Sequence, residues 1–305
     1  MSNRPEGSRE YVAFVKETTY GVTPSTPSLT RLPIKKTGLK QAISSAIDDT
    51  IRGHGMPVWG KLGNKSVAGS IEGNMVWGEV ETLFENVLAT EADVNGVIKA
   101  SATDTNTSFT IENGYQGSNY FSVYTGCVVD KIKVAASVGG TPATFTADLI
   151  GKEEEVNAAS LDVDGIADPS VRPPLTHQGG TFTVDGVASS VITGIEFTID
   201  RGIKSEFTTW GDDTVTRLTS SKKSVSGSLS FILIDNAIRN KLVNGVTADL
   251  TFTLFDGSKY MEFKLPKTFI QSHEKQSCDG SVNVKASFTA LYDAASGSSI
   301  SVRSY

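Results

Sequence analysis

The residues that could do chemistry are few, and their spacings do not assemble a site. The chain has three histidines, His54, His177 and His273. None has a metal-ligating partner at strand or helix spacing, so each reads as a surface histidine. Gly53-His54-Gly55 opens like a nucleotide-binding fingerprint. It fails because the next glycine is Gly60 and no helix follows directly. Asp162-Val163-Asp164-Gly165 starts like a calcium loop. The glycine comes two places early there, and Asp168 is a poor substitute for the closing glutamate, so a solvated turn is the better reading. No Gly-x-Ser-x-Gly elbow is present. Cys127 and Cys278 are the only cysteines and read as reduced, inert thiols. The sequence therefore predicts no enzyme, with no catalytic residue, cofactor or metal.

Two tryptophans stand out instead. Trp59 lies in a stretch, Asp48–Asn64, punctuated by Gly53, Gly55, Pro57, Gly60 and Gly63. Trp210 lies in a second polar stretch, Thr209–Ser221. Loops of this length in compact proteins are usually functional, and an exposed tryptophan on one is suited to anchor a contact. Both are candidate contact residues between subunits.

The elements around them come in a repeated order. Ser66–Leu88 reads as a strand followed by an amphipathic helix, and Ser224–Val243 repeats the phrase: Lys65, Ser66, Val67, Gly69 and Ser70 match Lys223, Ser224, Val225, Gly227 and Ser228. Val76, Val80, Leu83, Phe84, Val87 and Leu88 recur at helical spacing and predict a helix over Val76–Leu88. A second helix is expected over Ala237–Val243, ended by Asn244-Gly245. Each phrase is followed by a run of strands. In the first half these are Ser108–Ile111, Asn119–Tyr124, Cys127–Ala135 and Ala143–Leu149, with turns at Asn113-Gly114 and Gly139-Gly140. In the second half they are Leu250–Phe255, Tyr260–Leu265, Thr268–Lys275 and Val282–Leu291, with turns at Asp256-Gly257 and Asp279-Gly280. The endings also match, Thr144-Phe145-Thr146-Ala147 against Ser287-Phe288-Thr289-Ala290. The expected organisation is an N-terminal arm over 1–30, a first unit over 31–151, a linker over 152–178 and a second unit over 179–305. The acidic run Glu153–Glu155 falls in the linker and reads as solvated.

Bulk properties narrow the function. At 305 residues, 38% apolar and 20% charged, the chain is long enough for two cores. A net charge of −6 without a basic block argues against gripping nucleic acid by neutralising phosphates, or binding an anionic membrane surface. No apolar run is long enough to span a membrane, and the N-terminus has no apolar signal core.

The stretch Glu17-Thr18-Thr19-Tyr20-Gly21-Val22-Thr23-Pro24, followed by a strand-rich chain of this length, resembles the major tail tube proteins of long-tailed bacteriophages, the siphophages. The resemblance covers essentially the whole chain and carries over no catalytic motif. It implies a mainly β fold: two tandem β-sandwich domains, each with one flanking α-helix, whose inner sheets join into a ring barrel. It implies a structural virion protein, made in the host cytoplasm and located in the tail. Its rings would stack into the channel for DNA delivery. A duplicated chain would complete a pseudo-sixfold ring as a trimer. Partners would be further copies, a tape measure protein, and tail terminator and tip proteins. DNA would pass along an acidic lumen wall without specific binding. Tyr20 and Pro24 of the arm would join Trp59 and Trp210 as contacts between subunits or rings. Two alternatives to this reading are a carbohydrate- or receptor-binding β-sandwich and a tube-like secretion-system protein.

Overall fold

The computed structural model describes residues 4–100, 107–162, 165–166, 171–189, 191–233, 240, 244–276 and 282–305. In chain order the elements are β1 (Glu10–Lys16), β2 (Thr30–Leu32), β3 (Lys36–Thr37), β4 (Lys40–Ile47), β5 (Gly60–Asn74), helix α1 (Glu81–Leu88), β6 (Val97–Lys99), β7 (Phe109–Tyr115), β8 (Phe121–Ser137), β9 (Thr144–Gly151) and β10 (Glu153–Asn157). They continue with β11 (Phe182–Val184), β12 (Val187–Ala188), β13 (Ile192–Asp200), β14 (Lys204–Glu206), β15 (Arg217–Thr219), β16 (Ser224–Ile232), β17 (Ala248–Phe255), β18 (Tyr260–Gln276), β19 (Asn283–Ala290) and β20 (Ser301–Ser304). The protein is mainly β, as the strand and turn signals predict.

One antiparallel sheet runs β4-β5-β9-β8-β13-β16-β19-β18. Burial alternates along β9, β13, β16 and β19, so one face is apolar and the other polar. Val67 and Ile71, Phe145 and Ala147, Ile132 and Val134, Phe197 and Ile199, Val225 and Leu229, and Ala286 and Phe288 are buried on one side. Against that side lie two smaller arrays, β2-β1-β7-β8-β10 and β12-β11-β17-β18-β20-β6. The long strands β8 and β18, 17 residues each, belong to both layers. One apolar cluster joins the layers, from Val12 and Ile111 to Phe263 and Val302. Helix α1 buries Leu83, Phe84, Val87 and Leu88, and the Phe84 ring meets Phe263 edge-on at 5.5 Å.

The repeated phrase has a physical basis. A Cβ on Gly69 would lie 2.2 Å from the Gly38 carbonyl oxygen, and one on Gly227 would lie 2.3 Å from that of Glu196. Both glycines sit where the neighbouring strand's backbone crosses too close for a side chain. The bulges recur as well. Strand β8 shifts register against β9 between Val129 and Lys131, and β18 against β19 between Ile270 and Ser272. The matching endings, by contrast, are not in the same place. Leu149 lies across from Gly69, while Phe288 lies across from Gly227. Phe288 therefore corresponds to Leu149, and its sequence match Phe145 lies instead across from Gly73.

Several expectations shift. The first helix begins at Glu81, because Gly78 at φ 89° breaks the run, and its own N–H is bonded by the Glu81 carboxylate at 3.0 Å. The second helix lies largely outside the described residues, as do the Asp279-Gly280 turn and Cys278. Asn113-Gly114 does not turn: it is inside β7, with Gly114 beneath the rings of Tyr11 and Phe121. The acidic run is strand β10, laddered to Phe121–Thr125 of β8. Farther on, Leu175 is fully buried and bridges Met75 and Ala143 through its backbone.

Candidate assembly site

The N-terminal arm is fastened by a buried carboxylate. Glu17 is 5% exposed. Its oxygens accept hydrogen bonds from Ser108 Oγ, Thr110 Oγ1, the Gly126 N–H at 2.9 Å and the Gly21 N–H at 2.8 Å. Neutral donors alone satisfy the charge, which ties the turn after β1 to β7 and β8. Tyr20 rests half-buried on Gly126 and Lys152, beside a small cluster of Val128, Ile203, Val215 and Leu218. Pro24 is half-buried and Val22 exposed. So the motif that carried the resemblance is, in its glutamate and tyrosine, an internal clasp. Cys127 lies at its edge, fully buried, and burial, with the Glu17 charge adding, pushes its thiol up and keeps it protonated.

Two hairpins project from the long sheet. The first, β4 to β5, is apolar and bare: Ile43, Ile47, Ile51, Met56, Val58, Trp59 and Leu62 are all exposed. Asp48 braces its root, accepting bonds from Thr50 and from the Val58 N–H and pairing with Arg52 at 3.1 Å. These bonds hold the Asp48 carboxyl below its usual value. The second hairpin, β14 to β15, is seated on the chain itself. Ile203, Val215 and Leu218 pack on Val128, with Ile150 and Tyr20 at the margin. The Asp130 carboxylate accepts the Ile203 N–H at 2.6 Å, and its carbonyl accepts the Arg201 N–H. Arg201 is completely buried and donates to the Asn86 carbonyl at 3.1 Å, near the end of α1. Lys223 donates to the last helix carbonyl, Leu88 O, at 3.2 Å, where a cation suits the helix dipole. Asp213 on the same hairpin accepts the Lys65 N–H and pairs with its ammonium at 2.8 Å. Trp210, at the tip, is fully exposed.

Between the hairpins' roots, β8 and β13 are laddered from Lys131↔Asp200 to Ser137↔Gly194. On the polar face of this seam Lys131 pairs with Asp200, and Lys133 with Glu196, both at 2.9 Å. Elsewhere that face presents Ser70, Thr144, Thr146, Ser224, Ser226, Ser228, Ser230, Ser287 and Thr289, with Glu72, Asp148 and Lys285 among them. Burial pushes the Asp148 carboxyl above its ordinary value, with Lys131 pulling against it and Asp200 and Glu72 adding to it. Both ends of the long sheet are open among the described residues. Strand β4 is laddered to β5 alone, and the end of β18 beyond its bulge to β19 alone.

Of the four residues singled out in sequence, Tyr20 and Pro24 are half-buried within the chain, while Trp59 and Trp210 stand exposed on different hairpins. Sequence reading passed over Glu17, Asp130 and Arg201. Glu17 was in view as the first residue of the quoted motif. Arg201 gave no signal, being one arginine at a strand end. Among the described residues no cluster of His, Cys, Asp and Glu could hold a metal, and no helix is long and apolar enough to cross a membrane.

Open sheet edges, one bare apolar hairpin and a polar face rich in serine and threonine suit a protein that associates with further chains. The family model for phage tail tube proteins matches residues 7–290, and the chain belongs to that family. It is a structural component of a phage tail. No curated protein matches it.

Proposed function

We propose that three copies of this chain close a pseudo-sixfold ring, each contributing two tandem tail-tube units, and that rings stack into the tube that carries DNA into the host. The observation that carries this is the β8–β13 seam. It joins the two halves edge to edge in one sheet and leaves the equivalent edges, β18 and β4, open at the two ends. An exposed pair of complementary edges invites pairing with another chain, and ring closure removes both. The shared crossing at Gly69 and Gly227 aligns β4 with β13, and the shared bulge aligns β18 with β8. Carried across, the Thr198↔Lys133 pair becomes Lys40↔Glu274, a cross-strand pair of opposite charge.

The polar face of the sheet then lines the channel. It is a hydroxyl-rich wall rather than the acidic one expected, since the acids at the seam are paired to lysines. Serine and threonine hydroxyls offer no fixed cation to DNA phosphates, and compensated pairs present little net field. The tape measure protein would occupy this channel before DNA, and the terminator and tip proteins would cap its ends. Electron microscopy of the purified protein, alone and with tip components, tests the reading. Hollow tubes support it, and a chain that stays monomeric at high concentration with tip components present contradicts it.

A further inference from the structure

The first hairpin and the far end of the molecule carry matching bare apolar surfaces, and the chain already shows how such surfaces meet. The two hairpins correspond in length and in the place where their register shifts. Gly69 lies as far beyond Leu39 as Gly227 lies beyond Phe197, so both hairpins have the same length. Both also shift register by one residue at the same place. In the first, Ile43↔Lys65 gives way to Ser45↔Leu62, and in the second Asp200↔Ser224 gives way to Lys204↔Thr219.

The seats correspond too. The bulges in β8 and β18 place Phe269 where Val128 stands in the first half. Val128 is 2% exposed, covered by Ile203, Val215 and Leu218 of the second hairpin. Phe269 is 37% exposed, with Leu291 at 39% and Tyr292 at 67% beside it. By the same alignment Leu291 stands where Lys152 stands beside Tyr20, with Tyr292 next to it; the Leu291 N–H bonds the Lys267 carbonyl, one place on from the Thr125 carbonyl that the Lys152 N–H bonds. On the first hairpin, Ile47 and Leu62 occupy the face that bears Leu218 in the second, and are 66% and 68% exposed. One half of the molecule thus has a filled seat, and the other an empty seat with an unseated hairpin.

We propose that the Ile47–Leu62 face of the first hairpin seats on Phe269, Leu291 and Tyr292 of the neighbouring copy within the same ring, repeating between chains the contact that the second hairpin makes inside one. This rests on the ring reading above. It assigns the root of this hairpin to the in-ring junction rather than to the next ring, and leaves the tip, around Ile51 and Met56, free to reach along the axis. Side chains of this kind left exposed in a soluble chain mark an interaction surface, and the internal copy of the contact identifies the occupant as a second copy.

The test is disulfide trapping in the full chain with Cys278→Ser, since Cys127 is buried. Leu62→Cys is made in one preparation and Phe269→Cys in another, with Ile47→Cys replacing the first if Leu62→Cys lowers assembly. Each is oxidised alone and mixed, and the same samples are imaged. The expected result is covalent dimer in the mixture and none in either preparation alone. The Leu62→Cys/Phe269→Cys double variant should stop at covalent trimers, because a seat within a ring closes. A ladder running past trimer would place the hairpin between rings and overturn the proposal. Tubes without cross-link overturn it too, but leave the tube reading intact. A chain that forms no ring at all removes both.

Discussion

At the scale of single residues, the backbone and the buried charges decide most. Gly69 and Gly227 have no room for a methyl, since a backbone carbonyl rather than a flexible side chain stands in the way. Gly227→Ala should therefore lower stability by about 1–3 kcal/mol or more, as overpacking does, and thermal unfolding measures it. Asp130 gives a pH prediction. Burial raises its pKa above the ordinary aspartate value, although the Ile203 N–H pulls the other way. The folded state then holds the proton more tightly than the unfolded one. The wild type loses stability as pH rises from the ordinary aspartate range through the raised value, and recovers it as pH falls. Asp130→Asn keeps an acceptor for Ile203 and has no charge to bury. Its advantage over wild type in denaturant unfolding should grow as pH rises through that window and vanish below it. An advantage that is the same at every pH would show that the Asp130 charge is not what costs stability.

At the scale of elements, edges and hairpins decide how chains meet. Lys40→Glu puts a like charge opposite Glu274 at the proposed seam. It should leave the unfolding of the isolated chain near wild type and slow assembly, and Lys40→Glu/Glu274→Lys should restore the rate. Exposed pairs are worth only about 0–1 kcal/mol, so the register, more than the affinity, is what this exchange reads. Trp210 is fully exposed and Trp59 about half so, at 103% and 48%. Alanine at either should leave the thermal midpoint unchanged while reducing tube formation, and normal polymerisation of both variants would remove them as contacts. Much of this level was legible in sequence. The SVxGS phrase marked equivalent strands because its glycine is imposed by a crossing backbone. The TFTA phrase did not mark equivalent positions: a Phe-Thr-Ala alternation suits any strand with one buried face, so it recurred in a different register. Strands β8 and β18 each read as two, since Gly126 and Pro266 interrupt the alternation without ending the ladder. Strand β20, four residues long, is too short to show a period, yet it ties β18 to β6. The seating of the second hairpin was not readable, because a contact between distant segments leaves no local pattern.

At the scale of the whole molecule, the proposed ring repeats between chains the β8–β13 junction that one chain holds within itself. The long sheet crosses from one half to the other without a break, and the apolar core does the same, with Phe84 of the first half against Phe263 of the second. In the proposed three-chain ring, the shared core would fix the geometry of every second seam within one chain. Half the interfaces of such a ring would then form on folding, and the entropic cost of association would fall on the remaining seams only. The polar face is continuous across the internal seam, where the Lys131–Asp200 and Lys133–Glu196 pairs stand between the hydroxyl-bearing strands on either side. All of this depends on how many chains make one ring. Cryo-electron microscopy of assembled tubes, with the chain traced through a single ring, counts them directly. Three chains per ring are expected, with β18 of each laddered to β4 of the next and Lys40 beside Glu274. Six chains per ring, or a ring closed through any other pair of strands, would contradict it.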